Sequence, residues 1–264
     1  MARVLITGCS TGFGRATAIE LNKRGFEVLA SARRPETLDD LEVDGRLALD
    51  VTDDVSVAAA VSAAGAVDVL VNNAGISVSG PVELVPSTEM RRLFETNFFG
   101  VLRMIQAVLP QMRARGSGTI VNVSSVSGKV ASPLSGAYAA SKFALEAISE
   151  AMYFEMGHFG IRTVIIEPGY FQTSISESGV RYGVEGPPYR ELADATEKMT
   201  AALGRGTAPG PEMVAMAIAD AIESPDAPLR IPVGTDAEMV LGARANMDDA
   251  TFESTMRQVL NLDW

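Results

Sequence analysis

The chain has 264 residues but only one cysteine, Cys9, and one histidine, His158. A single thiol excludes an intrachain disulfide framework and any multi-cysteine metal site. A single imidazole excludes zinc sites built on two or three histidines, so no metal site is expected. It also leaves His158 as the sole base open to a Ser-His-Asp triad. Basic residues are outnumbered 22 to 33 by acidic ones, for a net charge of −11. The basic footprint of a nucleic-acid or anionic-membrane partner is missing, and neither is expected. Long apolar runs are missing too: none approaches the roughly 20 residues of a membrane span. The first, Val4–Ile6, stops at Thr7-Gly8, so no secretory leader is expected. Hydrophobic residues nonetheless make up 47% of the chain, enough for a large core. A cytoplasmic globular protein is the expectation.

What is present is a strand–helix rhythm. Arg3–Ile6 reads as a strand buried on both faces, then TGCSTGFG places Gly8, Gly12 and Gly14 ahead of a helix through Ala16, Ala18, Ile19 and Leu21. Strand, glycine-rich turn and helix is the context of a phosphate-binding turn, where bare backbone and a helix N-terminus meet a pyrophosphate. An ordinary tight turn has the same spelling. Phe26–Ala32 is a second strand, closed by Arg33-Arg34. An acidic residue there would grip the ribose of NAD; Arg33 instead suits a 2′-phosphate, or is one of a pair of solvated charges. Further strands are expected at Arg46–Leu49, Val67–Val71, Thr119–Val123, Arg162–Ile166 and Leu229–Val233. Ser87 is expected to cap one long helix through Arg115, with Asn97 on its apolar stripe as a core staple or part of a site. Nearly continuous apolar strands alternating with helices indicate a parallel sheet covered on both faces, an α/β fold.

The stretch Thr119–Ala144 carries the candidate chemistry. Ser125 follows a strand, and Tyr138 and Lys142 are spaced i, i+4 on the next helix, one face of it. Alone, such a pair reads as an exposed helix face. After Gly169 the pattern turns polar and Gly/Pro-punctuated, so 170–211 is expected to form a substrate lid with one helix, Tyr189–Leu203. The tail 237–264 looks helical, interrupted near Asn246–Asp248. No repeat or linker splits the chain, so 1–264 is expected to be a single domain.

With these residues placed, the sequence resembles the short-chain dehydrogenase/reductases, most closely over 3–173. TGCSTGFG is similar to their glycine turn, NNAG at Asn72–Gly75 to their fourth-strand motif, and PGYFQT at Pro168–Thr173 to their nicotinamide segment. Asn97, Ser125, Tyr138 and Lys142 fall where the catalytic tetrad would stand. VLITGCSTGFG, ASARRPETL and VSGPVELVP look most like the 17β-hydroxysteroid-dehydrogenase-like branch. Phe13 departs from the usual Ile or Leu of the turn.

The resemblance implies a single-domain, Rossmann-type doubly wound sheet of about seven strands in the order 3-2-1-4-5-6-7. It implies an NADP(H)-dependent oxidoreductase, with NAD(H) second, interconverting a secondary alcohol and a ketone. Tyr138 would be the general acid/base, its pKa lowered by the Lys142 ammonium; Ser125 would donate to the substrate oxygen, and Asn97 would hold a relay water. Gly8, Ser10, Thr11, Gly12, Phe13 and Gly14 would meet the phosphates, Arg33 the 2′-phosphate, and Asp50 and Val51 the adenine. Asn73, Ala74 and Gly75 would border the adenosine ribose. Lys142 would bind the nicotinamide ribose beside Tyr138, with Pro168, Gly169, Phe171 and Thr173 at the carboxamide. A bulky apolar substrate would meet Ser125, Val126, Leu134, Tyr138, Tyr170 and Phe171. A homo-oligomer is expected, a dimer through the helix faces 90–115 and 138–159. A non-catalytic NADP-binding sensor or scaffold is the alternative.

Overall fold

The structure is a computed structural model describing residues 1–171, 179–204 and 209–262. Seven strands form one sheet: β1 (Arg3–Ile6), β2 (Glu27–Ala32), β3 (Gly45–Ala48), β4 (Val69–Asn72), β6 (Gly118–Val123), β7 (Ile161–Pro168) and β9 (Arg230–Val233). Two short strands, β5 (Val78–Ser79) and β8 (Val180–Arg181), pair separately. The large sheet runs β3-β2-β1-β4-β6-β7-β9, every pair parallel. Counted within that sheet alone, this is the expected 3-2-1-4-5-6-7.

Parallel neighbours need crossovers, and helices supply them. They are α1 (Gly12–Lys23), α2 (Asp54–Ala64), α3 (Ser87–Phe94), α4 (Gly100–Arg115), α5 (Gly136–Gly157), α6 (Arg190–Gly204) and α7 (Glu212–Glu223), followed by α8 (Thr235–Asn246) and α9 (Asp249–Leu260). Successive strand residues point to opposite faces, so each inner strand feeds two cores. Val4, Ile6, Val69, Val71, Val121 and Ile166 pack with Ala18 and Leu21 of α1 and Ile218 of α7. Leu5, Leu70 and Ile120 pack on the other face with Met104 and Ile105 of α4 and Leu145 and Met152 of α5. This double burial is why the strands read as unbroken apolar runs.

Strand order reverses between β1 and β4, and the crevice at such a reversal opens beyond the carboxyl ends of the strands. The glycine turn, Asn73–Ile76 and the Ser124–Ser125 corner all lie at that end.

Several local readings change. The expected helix from Ser87 to Arg115 is interrupted by a π turn, Glu95–Phe99, with buried Asn97 inside it. Ser87 is the first helical residue rather than the cap; Pro86 holds that place, without a side-chain hydrogen bond. The segment read as irregular lid contributes β8, whose Tyr182 N donates to Ser79 O at 2.9 Å and ties it to the loop after β4. Strand and helix ends otherwise move by one or two residues, as hydrogen-bonded boundaries do.

Candidate active site

A cavity of about 510 Å³ lies at the reversal point, walled by the glycine turn at one end and by Tyr138 and Lys142 at the other. Gly8 and Gly12 have φ of +74° and +58°, a left-handed backbone that L side chains rarely adopt. Gly14 is required by closeness: a Cβ there would stand 2.4 Å from both Asn73 Nδ2 and Gly8 O. Asn73 Nδ2 donates to Thr7 O (2.9 Å) and Gly8 O (3.0 Å), so its amide clamps the turn. Thr7 Oγ1 accepts from the Asn73 and Ala74 N–H groups, joining β1 to β4 at this corner. Ser10, Thr11, Gly12 and Phe13 bring the start of α1 onto the cavity wall.

Arg33 lines the same cavity and makes no ion pair or hydrogen bond among the described residues. Its charge reaches Asp50, whose carboxyl is held below its usual range. Desolvation works against that shift, but the two hydrogen bonds from Thr52 and the nearby guanidinium outweigh it. Val51 is buried beneath Gly100 of α4, and Gly75 closes the wall beside Ala74. Bare glycine backbone, a helix N-terminus and a guanidinium along one cavity fit a dinucleotide.

The tetrad positions converge at the other end. Ser125 lies just beyond β6, where its Oγ accepts from Ser127 N at 3.1 Å and meets the Tyr138 phenol. Lys142, 5% exposed, donates from Nζ to Val123 O at 2.8 Å and sits 5.8 Å from the Tyr138 ring centroid. Burial pushes the phenol up to about 12, with the Ser125 hydrogen bond acting in the opposite sense. Burial likewise pushes Lys142 down to about 8, opposed by the charge of Glu146. Lys142 is not among the groups that shift the phenol, so the expected lowering by its ammonium is not seen: burial of the phenol is the larger effect.

Asn97 reaches the site through main chain rather than by facing the cavity. Its Oδ1 accepts from Ile76 N (2.9 Å), and its Nδ2 donates to Ile76 O (3.0 Å) and Ser141 Oγ (3.1 Å). Ser141 Oγ in turn donates to Tyr138 O at 2.7 Å. Both Nδ2 hydrogens are thus taken, and the expected relay water has no side-chain donor left at Asn97.

Other expected contacts lie apart from the cavity wall. Pro168 ends β7, and Gly169 N donates to Val233 O at 3.0 Å. Phe171 was expected against substrate, but its side chain is buried edge-on to Phe13, with ring centroids 5.4 Å apart. Val126 opens a 3₁₀ turn after Ser125, and Leu134 holds a left-handed φ of +63° while its O accepts from Gly80 N. Tyr170 N donates to Asp236 Oδ2 at 2.6 Å. Thr173 lies outside the described residues. His158 caps the far end of α5, which spans roughly 30 Å, so it cannot serve Ser125 as a base.

Sequence reasoning missed Thr52, Arg92, Thr96 and Ser124 on the cavity wall, and Asp236, whose carboxylate anchors Gly169-Tyr170. Thr52 alone had a signal, since Asp-x-Thr favours the local side-chain turn found there. Among the described residues no group of His, Cys, Asp and Glu is arranged to hold a metal ion. No helix among them is long and apolar enough to cross a membrane.

Residues 2–181 match the family described as short chain dehydrogenase. A 3-ketodihydrosphingosine reductase of Bacteroides thetaiotaomicron is 41% identical over 179 residues, 66% of each chain. The crystal structure of a short-chain dehydrogenase from Streptomyces avermitilis is 36% identical, covering 100% of this chain and 99% of that one with a TM-score of 0.86. A short chain dehydrogenase from Burkholderia cenocepacia, solved in complex with NADP, is 25% identical over 97% of each chain, with a TM-score of 0.80. The chain belongs to the short-chain dehydrogenase/reductase family, oxidoreductases of CH–OH and C=O groups.

Proposed function

We propose that this protein is an NADP(H)-dependent oxidoreductase that interconverts a secondary alcohol and a ketone. The observation that carries this reading is Tyr138, met by Ser125 and by Lys142, on the wall of a cavity whose opposite end is the glycine turn. Arg33, with no ion pair or hydrogen bond among the described residues, supports a 2′-phosphate and hence NADP over NAD. NADPH would supply a hydride to the carbonyl carbon. Tyr138 gives its phenolic proton to the carbonyl oxygen as Ser125 donates a hydrogen bond to it. Lys142, as the ammonium, offsets the charge left on the phenolate. Asn97 positions rather than reacts: it pins Ile76 and, through Ser141, the first turn of α5. Gly8, Ser10, Thr11, Gly12, Phe13 and Gly14 would hold the phosphates, Asp50 and Val51 the adenine, and Asn73–Gly75 the adenosine ribose.

The substrate class is a bulky apolar ketone or alcohol. It would enter between 76–81, 126–136 and a lid at 170–211, meeting Val126, Leu134 and Tyr170. The Bacteroides relative, a 3-ketodihydrosphingosine reductase, supports that class. The resemblance to the 17β-hydroxysteroid-dehydrogenase-like branch points the same way. The chain would act as one cytoplasmic unit, paired as a dimer through α4 and α5. Exposed Phe143 and Phe154 are eleven residues apart, three turns of one helix face, beside exposed Ala147 and Ala151.

A panel of ketones and alcohols assayed with NADPH and with NADH tests the reading. Turnover of apolar ketones, faster with NADPH, is expected. Tight NADPH binding with no turnover anywhere in the panel would replace it with the sensor reading.

A further inference from the structure

The helix that follows the last strand reaches back towards the cavity through one carboxylate. β7 and β9 pair with Pro168 opposite Val233, and Gly169 N extends the pairing to Val233 O at 3.0 Å. Gly234, at φ +100°, then turns the chain out of β9 and into α8. Two residues later Asp236 lands over the main chain that leaves β7. Its Oδ2 accepts from Tyr170 N at 2.6 Å. A Cβ at Gly169 would sit on both carboxylate oxygens, and one at Gly234 would stand 2.7 Å from Oδ1. Both positions must be bare for the carboxylate to fit.

An acid in the first turn of a helix commonly serves that helix's own unpaired N–H groups and positive end. Asp236 instead gives its hydrogen bond to a residue 66 positions earlier. A charge-assisted bond of this kind is roughly twice as strong as a neutral one. The segment it fixes borders the reacting end of the cavity. β7 neighbours β6, whose end carries Val123, the acceptor for Lys142, and then Ser124, whose N donates to Ile166 O at 2.8 Å. Arg33 follows β2, on the far side of the strand-order reversal. Phe171 is buried edge-on to Phe13, and an added Cβ at Gly234 would lie 3.5 Å from the same Phe171 ring. Phe13 stands on the cavity wall. Asp236, Tyr170, Phe171 and Phe13 thus make a continuous connection from α8 to the glycine turn.

We propose that Asp236 is a positioning residue for the nicotinamide end of the bound dinucleotide. It holds the main chain of 168–171 in place beside that end, so the grip on the nicotinamide depends on a carboxylate supplied by α8. The proposal rests on the NADP(H) reading above and asks nothing of the substrate. Asp236 is not itself on the cavity wall, and its loss leaves Arg33, the glycine turn and Asn73 where they are. Binding through the adenosine and the phosphates should therefore survive while the nicotinamide contribution falls. A residue needed only for folding would lower both together.

The test compares two ligands by calorimetric titration: NADPH, and 2′-phospho-ADP-ribose, the same molecule without its nicotinamide. In Asp236→Ala the Kd of NADPH should rise about tenfold, the worth of one charge-assisted hydrogen bond, with that of the fragment unchanged. Asp236→Asn keeps an acceptor oxygen and should recover most of the affinity. Equal loss for both ligands, or loss for neither, in folded Asp236→Ala overturns the proposal. If that variant does not fold, Asp236→Glu decides. Its carboxylate, one methylene further out, overfills the space between Gly169 and Gly234, and the same selective loss is required. Hydrogen exchange supplies a readout in the natural chain, whatever the variants do. NADPH should slow exchange of the Tyr170 amide more than the fragment does, and equal slowing contradicts the proposal. A natural chain that binds neither ligand refutes the NADP(H) reading instead.

Discussion

Arg33→Asp would put a carboxylate where the unpaired guanidinium now faces the cavity. It should weaken NADPH binding by about 10- to 100-fold, the worth of one or two charge-assisted hydrogen bonds, and NADH by far less. Equal loss for both, by calorimetric titration, would remove the 2′-phosphate role. Sequence order alone could place Arg33, because a strand end about twenty residues past a glycine turn is a local pattern. It could place Tyr138 and Lys142 for the same reason, one helical turn apart. Their proton affinities were not legible. These depend on how deeply the fold buries both groups and on what it sets beside them, Ser125 for the phenol and Glu146 for the ammonium. The role of Asn97 was half legible: a buried amide must find partners, but only the structure shows that they are Ile76 and Ser141.

The π turn at Glu95–Phe99 inserts one extra residue into the hydrogen-bond ladder between α3 and α4, a break that recurs at functional sites. Nothing in an apolar stripe at i, i+3, i+4 distinguishes it from a continuous helix. Asn97→Ala would leave the Ile76 N–H and C=O unpaired in a half-buried setting. A loss of about 1–3 kcal/mol in denaturant unfolding is expected, and an unchanged midpoint would show the loop held by other means. The glycine turn is the opposite case, fully written in its residues. Gly14→Ala forces a Cβ onto Asn73 Nδ2 and Gly8 O, and the cost should be about 1–3 kcal/mol with NADPH binding largely lost. The β5–β8 pair escaped notice because two residues on either side carry no alternation to read. It joins 180–181 to the loop after β4 through backbone hydrogen bonds.

For the whole molecule, the sheet order was legible because the inner strands β2, β1, β4, β6 and β7 are buried on both faces and so announce themselves as apolar runs. The buried pairing of Arg230 of β9 with Glu146 of α5 and Glu167 of β7 was not. Glu167, pushed up to about 7 by burial and by Glu146, binds a proton in the folded state at pH values where the unfolded chain has released it. Its contribution to stability is complete below about pH 4.5 and is lost as pH rises through 7. Relative to Glu167→Gln, the natural chain should lose on the order of 2–3 kcal/mol between pH 4.5 and pH 8. Parallel curves in urea would show that the carboxyl is not titrating there. The exposed faces of α4 and α5 should pair two copies, with sedimentation at twice the chain mass and a shift to monomer in Phe154→Arg.

The central claim is that Tyr138 moves the proton of a ketone–alcohol interconversion. NADPH oxidation by Tyr138→Phe, with a ketone turned over by the natural protein, tests it most directly when NADPH binding is measured on the same sample. Expected is a fall in kcat of at least about 10²-fold, the lower end of what a general acid contributes, with NADPH affinity within a few-fold of the natural chain. Turnover persisting at the natural rate in that variant would contradict the assignment.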